Sequence, residues 1–302
     1  MRPANLLSSS RAALAAAALL TVALAGCSPQ DDDSSSAAAS SSATGSGTAT
    51  AAACSAGSLA THSAGKLTVG TDNPAYDPWF SDDDPSNGKG YESAVAYAVA
   101  KQLGFGTGQV VWQKVPFNSA FAPGAKDFDF DINQVSINAD RQKSVDFSAG
   151  YYDVRQAIVA RKGSKIYDAK SIADLKGAKL GAQVGTTSLD FITDTVQPSS
   201  QPAVYQRNDL AVAALKNGQV DGIVVDLPTA FYITGAEVTD AKVVGQFDNT
   251  GGTPEQFGLV LDKGSKLTSC VSQAVTALRT DGTLAALEKQ WLSDAVDAPV
   301  LK

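Results

Sequence analysis

From residue 66 to near its end, this chain alternates short β-branched runs with helical stretches over about 235 residues, and that alternation constrains the fold most. Residues 66–70 read as a strand, followed by a loop rich in Asp, Pro and aromatic residues. Residues 91–103 predict a helix, with Ala and Val at helical spacing and Gly104 as its stop. Further strands are expected over 110–115, 157–161, 180–184, 222–225 and 258–261. Further helices are expected after Gly185-Thr186-Thr187-Ser188, over 210–217, and over 267–279 and 283–292, the last two parted by Asp281-Gly282. The class is α/β, and the length exceeds that of a typical single domain, so two lobes are expected.

The segment before this region has a different character. Arg2 and Arg11 precede an apolar run, residues 12–25, that is shorter than the ~20 residues a membrane-spanning helix needs. It ends in Leu24-Ala25-Gly26-Cys27, small residues before a cysteine, and polar residues follow. This order resembles a bacterial lipoprotein signal, with residues 1–26 removed and Cys27 lipid-modified; the alternative is an ordinary signal peptide in which Cys27 is incidental. Residues 27–58, dominated by Ser, Ala, Thr and Gly, carry no apolar period and read as a flexible tether. The expected location is extracytoplasmic, anchored by lipid to the outer face of the cell membrane.

Removing residues 1–26 takes two arginines and no acid, which moves the formal net charge from −7 to −9. An acidic chain without a basic cluster argues against nucleic acid or anionic lipid as a partner. With Cys27 lipid-modified, Cys54 and Cys270 remain in an oxidising compartment, where a disulfide is the simplest outcome and two unpaired thiols the alternative. His62, the only histidine, has no Cys or His nearby to make a metal site with it.

Three features suit a small zwitterion. Arg141 follows Ser136-Ile137-Asn138-Ala139-Asp140, and its planar fork matches a carboxylate in two parallel hydrogen bonds; a surface arginine paired with a nearby Asp is the alternative. Gly185-Thr186-Thr187-Ser188 lies between a strand and a helix, where unpaired backbone amides suit an anion, although Thr187 or Ser188 could be only an N-cap. Asp226 follows the apolar strand 222–225, at the strand end where ligands of open α/β sheets bind; it could hold an ammonium group or cap the next helix. Asp82-Asp83-Asp84 lacks the spacing of a calcium loop. Asp127, Asp129 and Asp131 alternate with Phe128 and Phe130, as in a strand with one apolar face. No nucleophile elbow or phosphate loop occurs.

Several segments in order resemble the family 3 solute-binding proteins, which serve polar amino acid ABC transporters. They begin at Gly65-Lys66-Leu67-Thr68-Val69-Gly70-Thr71-Asp72 and continue through Asp129-Phe130-Asp131-Ile132-Asn133-Gln134-Val135-Ser136-Ile137 to Arg141 and Asp146-Phe147-Ser148. Ile172-Ala173-Asp174-Leu175-Lys176-Gly177, Gly185-Thr186-Thr187, Leu278-Arg279-Thr280-Asp281-Gly282-Thr283 and Lys289-Gln290-Trp291-Leu292 complete the series. The resemblance implies a type II, two-lobed periplasmic-binding-protein fold, each lobe a sheet flanked by helices. Lobe 1 would be residues 59–159 and 247–302 and lobe 2 residues 160–246, with crossovers near Arg161-Lys162-Gly163 and Gly245-Gln246. The family's site carries over as Arg141, Ser136 and the backbone near Gln134 on the ligand carboxylate, with Thr186 and Thr187 opposite, and Asp226 on the ammonium. Asp72, Tyr76, Trp79, Phe80 and Phe117 would line the side-chain region. A Cys54–Cys270 disulfide would fall on lobe 1 and leave the hinge free. Two positions depart from the pattern: Asn138 stands where Thr is common, and Tyr91-Glu92-Ser93 replaces a Gly-Phe-Asp-type helix start, read as a capping change.

The function implied is the substrate-binding component of an ABC importer, a monomer whose partners are an amino acid or close analogue and a permease. No catalytic residue, metal or cofactor is assigned. The other readings are a dehydratase-like enzyme on the same fold, which would need a cleft acid with a perturbed pKa, and a ligand-sensing lipoprotein without transport.

Overall fold

The computed structural model describes residues 54–248, 254–292 and 298–302. The expected signal segment, Cys27 and the expected tether up to residue 53 lie outside these residues. Two sheets organise the chain. The first has the order β2 (Val110–Lys114), β1 (Leu67–Thr71), β3 (Phe130–Asp131), β10 (Glu255–Asp262), β4 (Val145–Val154). The second has the order β11 (Val300–Leu301), β9 (Ala241–Phe247), β5 (Gln156–Arg161), β8 (Gly222–Asp226), β6 (Leu180–Gln183), β7 (Ala203–Tyr205). Parallel pairs dominate where a helix makes the crossover, and the long strands β10 and β5 pair antiparallel with their neighbours.

Both sheets are covered on both faces. On the first, Leu67, Val69, Phe130 and Leu259 face α1 (Tyr91–Gln102), α6 (Thr268–Thr280) and α7 (Thr283–Leu292). The other face packs Val145, Phe147 and Val260 on Phe117 of α2 (Phe117–Ala120). In the second sheet β5 alternates: Ala157 and Val159 meet α4 (Asn208–Lys216) and α5 (Leu227–Tyr232), while Ile158 and Ala160 meet Ile166, Leu175 and Ile192. A strand buried on both sides reads as a continuous apolar run, the form in which residues 157–161 and 222–225 stand out in the sequence.

Double coverage also explains Asp131. The Asp/Phe alternation suggests a solvent face, yet β3 is central and Asp131 is fully buried. Its carboxylate lies against Gly70, whose missing Cβ would sit 2.7 Å from Oδ2 and beside Val115 and Phe128. Neither oxygen has a hydrogen-bond partner among the described residues. Desolvation, then repulsion from Glu92 and Asp72, holds the carboxyl well above the usual range. A raised folded-state pKa means the buried group stabilises least at high pH. Asp131→Val is therefore expected to raise thermal stability by about 1–3 kcal/mol, with a gain that grows as pH rises from 4 to 8. Thermal melts across that range check it, and an unchanged or lowered midpoint would contradict it. Asp129, by contrast, accepts the backbone amides of His62 and Thr68, both at 2.6 Å, and ties down the approach segment.

The chain changes sheets at Arg155, between β4 and β5, again between Phe247 and Glu255, and a third time between β10 and β11. The expected crossover at Arg161-Lys162-Gly163 instead lies at the far end of β5, and Gly245-Gln246 lies inside β9. Residues 300–301, expected with the first half, add the edge strand β11 beside β9 of the second sheet. Cys54 and Cys270 form a disulfide with Cα atoms 5.3 Å apart. Cys270 is on α6, and Cys54 packs on the same core.

Candidate functional site

A small pocket of about 50 Å³ lies where the two halves meet. From the first half come Asp72, Tyr76, Phe117, Asn133, Gln134, Ser136 and Arg141; from the second, Gln183, Thr186, Thr187, Ser188, Asn208 and Asp226. Strand ends and the loops after them supply nearly all of these. Nine of the eleven binding residues expected from sequence are thus brought to one place. The other two, Trp79 and Phe80, are not at the pocket. They are 0% and 1% exposed, packed edge-on to Tyr91, Tyr152, Phe257 and Trp112 inside the first core.

Arg141 sits on a short 3-10 turn, Arg141–Lys143, and is buried. Its Nη1 donates to Ser136 O at 2.6 Å and its Nη2 to Gly185 O at 2.9 Å. The guanidinium lies 4.4 Å from the Phe121 ring centroid and 5.7 Å from that of Phe117. Two of its five donor hydrogens are used, which leaves three for a ligand. Desolvation lowers its pKa to about 10, so it stays charged at neutral pH. The surface-pair alternative for Arg141 does not occur: Asp140 pairs with Lys143, both exposed.

Gly185 carries φ +75°, and any Cβ there would collide with Asn118 Oδ1 of the opposite half. This residue lets the two halves approach. Thr186 is the N-cap of α3 (Thr187–Asp190), its Oγ1 accepting from Leu189 N at 3.2 Å. The capping role left open for Thr187 and Ser188 therefore belongs to Thr186. Thr187 Oγ1 is 3.4 Å from Ser136 Oγ, across the junction. Ser136 Oγ also donates to Glu255 Oε1 at 2.5 Å.

Asp226 ends β8, and its side chain makes no capping bond to α5. The β5–β8 register places Gln156 opposite it. Gln156 Nε2 donates to Asp226 Oδ1 at 2.9 Å, and Gln156 Oε1 accepts from Ser188 Oγ at 2.6 Å. Burial, then repulsion from Glu255, pushes the Asp226 carboxyl up to about 8. An ammonium group beside it would reverse that shift. Binding at pH 7 should release up to one proton, and affinity should weaken as pH falls below about 8. Calorimetry at pH 7 in buffers of different ionisation enthalpy measures this; identical apparent enthalpies would show that Asp226 takes no ammonium.

Further polar bonds join the halves. Tyr76 Oη donates to Asp209 Oδ1 at 3.0 Å, and Asp209 is held in a two-pronged pair by Arg207. Trp79 Nε1 donates to Thr229 Oγ1 at 2.9 Å. Sequence reading missed Gln156, Gln183, Asn133, Asn208 and Phe121. Gln156 and Gln183 are polar residues at the ends of apolar strands, and only that placement signals them. The amide of Gln134, expected to assist a ligand carboxylate, is instead donated to Glu92 Oε1 at 2.7 Å.

Residues 67–294 match the model of the bacterial extracellular solute-binding proteins, family 3. The chain belongs to this family. Among curated relatives, the L-cystine-binding protein TcyJ of Escherichia coli K12 is 28% identical over 229 residues, 75% of this chain and 82% of that one. A solved ancestral arginine-binding protein bound to arginine is 30% identical, with TM-score 0.61 over 75% of this chain and 97% of its own. An ancestral amino acid-binding protein described as a precursor of cyclohexadienyl dehydratase is 29% identical, with TM-score 0.61 over 75% and 95%. The two-lobed type II architecture read from the two sheets is the fold these structures share.

Proposed function

We propose that this family 3 protein captures an amino acid between its two halves and delivers it to an ABC importer. The observation that carries the reading is one pocket lined by Arg141 from the first half and Asp226 from the second. A zwitterion satisfies both at once only when the halves are together, so binding favours the closed arrangement. Arg141, with Thr187 and Ser136 beside it, takes the carboxylate; Asp226 takes the ammonium. Asp72, Tyr76 and Phe117 face the side chain. Lobe 1 comprises residues 59–154 and 255–292, and lobe 2 residues 156–247 with β11. The protein acts as a monomer, tethered outside the cell by lipid on Cys27.

The space present, about 50 Å³, holds a few waters at most, so a ligand enters only when the halves part. The names of the relatives, cystine- and arginine-binding, support an amino acid as the ligand class. A thermal-shift panel of L-amino acids tests the reading. A ligand at a hundred times its Kd adds about 2.7 kcal/mol of stability, and one or a few amino acids are expected to do so. A panel with no stabilising member would overturn it. Chromatography of any stabilising ligand after incubation addresses the dehydratase alternative: recovery unchanged supports capture alone. Cys27→Ala should move the protein from the membrane fraction to the soluble one.

A further inference from the structure

Glu92 occupies the first turn of α1, where sequence suggests only a change of helix capping. The structure gives it a different position. Its side chain is 0% exposed, beneath the pocket wall formed by Gln134. Three donors converge on its carboxylate: Gln134 N at 2.7 Å on Oε1, Tyr151 Oη also on Oε1, and Gln134 Nε2 on Oε2. These donors favour the ionised form, but burial outweighs them and pushes the carboxyl up to about 7. Gln134 itself has φ +49°, in the left-handed region that glycine adopts freely and a residue with a Cβ adopts only when held there. No glycine is present at this bend of the ligand site, and the groups gripping Gln134 through both its main-chain and side-chain amides belong to Glu92.

We propose that Glu92 is a positioning residue for the ligand site: its buried carboxylate locks Gln134 in the left-handed conformation that shapes the pocket wall. Glu92 touches no ligand; it acts through Gln134 on the residues that follow, Ser136 and Arg141. Tyr151 on β4 fixes the carboxylate in turn, so the pocket wall is set from the core of the first sheet.

This inference rests on the proposed capture of an amino acid for its affinity arm, and a second arm needs no ligand. Glu92→Leu keeps a similar volume and removes every acceptor that Gln134 and Tyr151 use. In the ligand-free protein, hydrogen exchange at the Gln134 amide should be slow in the wild type and at least about tenfold faster in Glu92→Leu, while the sheet amides of β1 stay protected. Equal protection of Gln134 in the two proteins overturns the lock whether or not any ligand is known. In the affinity arm, Glu92→Leu should weaken binding of the amino acid found by the thermal-shift panel about tenfold or more. In a Gln134→Gly background the same Glu92→Leu change should cost less than about threefold, because glycine needs no lock. A Glu92→Leu protein with wild-type affinity, or an equal loss in the Gln134→Gly background, would overturn the positioning role. If no amino acid binds the wild type, the capture reading fails and the exchange arm alone decides the lock.

Discussion

Arg141→Ala is expected to weaken binding of the captured amino acid about a thousandfold, with little effect on folding. Removing one member of a buried, hydrogen-bonded charge pair costs about 2–5 kcal/mol or more, largely because the other charge is left buried and unmatched. In the ligand-free protein the lost bonds are those to Ser136 O and Gly185 O, each worth about 1 kcal/mol net. The variant should therefore melt within a few degrees of the wild type while failing to respond to ligand. Arg141→Lys should recover little. An ammonium is a point charge without the planar fork, and the contact with the Phe121 ring at 4.4 Å is fitted to a flat cation. Calorimetry on the three proteins gives the comparison. A loss below tenfold in Arg141→Ala would remove Arg141 from the ligand's carboxylate.

Replacing Cys54 and Cys270 together by serine is expected to lower the thermal midpoint by about 10 °C and leave ligand affinity within about twofold of wild type. The disulfide spans a sequence separation of 216, for which the loop-entropy model gives about 5 kcal/mol, an upper figure in practice. Both cysteines pack on the core of the first sheet, so the bond lies within one half. Closure of the halves therefore does not strain the bond. A drop below about 2 °C would show that the contacts of the approach segment, such as His62 N to Asp129, already suffice. A loss of affinity would show that the disulfide reaches the site.

The parts of this architecture legible in the sequence are those whose cause is local. Residues 91–102, 222–226 and 283–292 declare themselves by periodicity and by the residues that end them. Arg141, Thr187 and Asp226 are recognisable because a carboxylate fork, a strand-to-helix turn and a strand-end acid each have a chemical signature, and family order tied them together. The long strand β4 was less visible, since Asp146, Ser148 and Asp153 interrupt its apolar residues. Trp79 and Phe80 were misplaced because an aromatic in a loop looks the same whether it lines a cleft or fills a core. Only the packing around Trp79 by Tyr91, Tyr152 and Phe257 separates the two. Asp131 and Glu92 were misread for a related reason: alternation and helix position describe one element, while burial depends on what lies over it. Gln156 escaped notice because its partners, Asp226 and Ser188, are 70 and 32 residues away in the chain.

The central claim is that one pocket holds a carboxylate and an ammonium group together. Calorimetry of three ligands addresses it most directly: the amino acid that stabilises the protein, the amine left when its carboxylate is removed, and the acid left when its ammonium is removed. Without the carboxylate Arg141 is left buried and unmatched, and without the ammonium Asp226 stays protonated and its attraction is lost, so both truncated ligands should bind at least about a hundredfold more weakly. If either binds within a fewfold of the amino acid, the two-point clamp between Arg141 and Asp226 is contradicted.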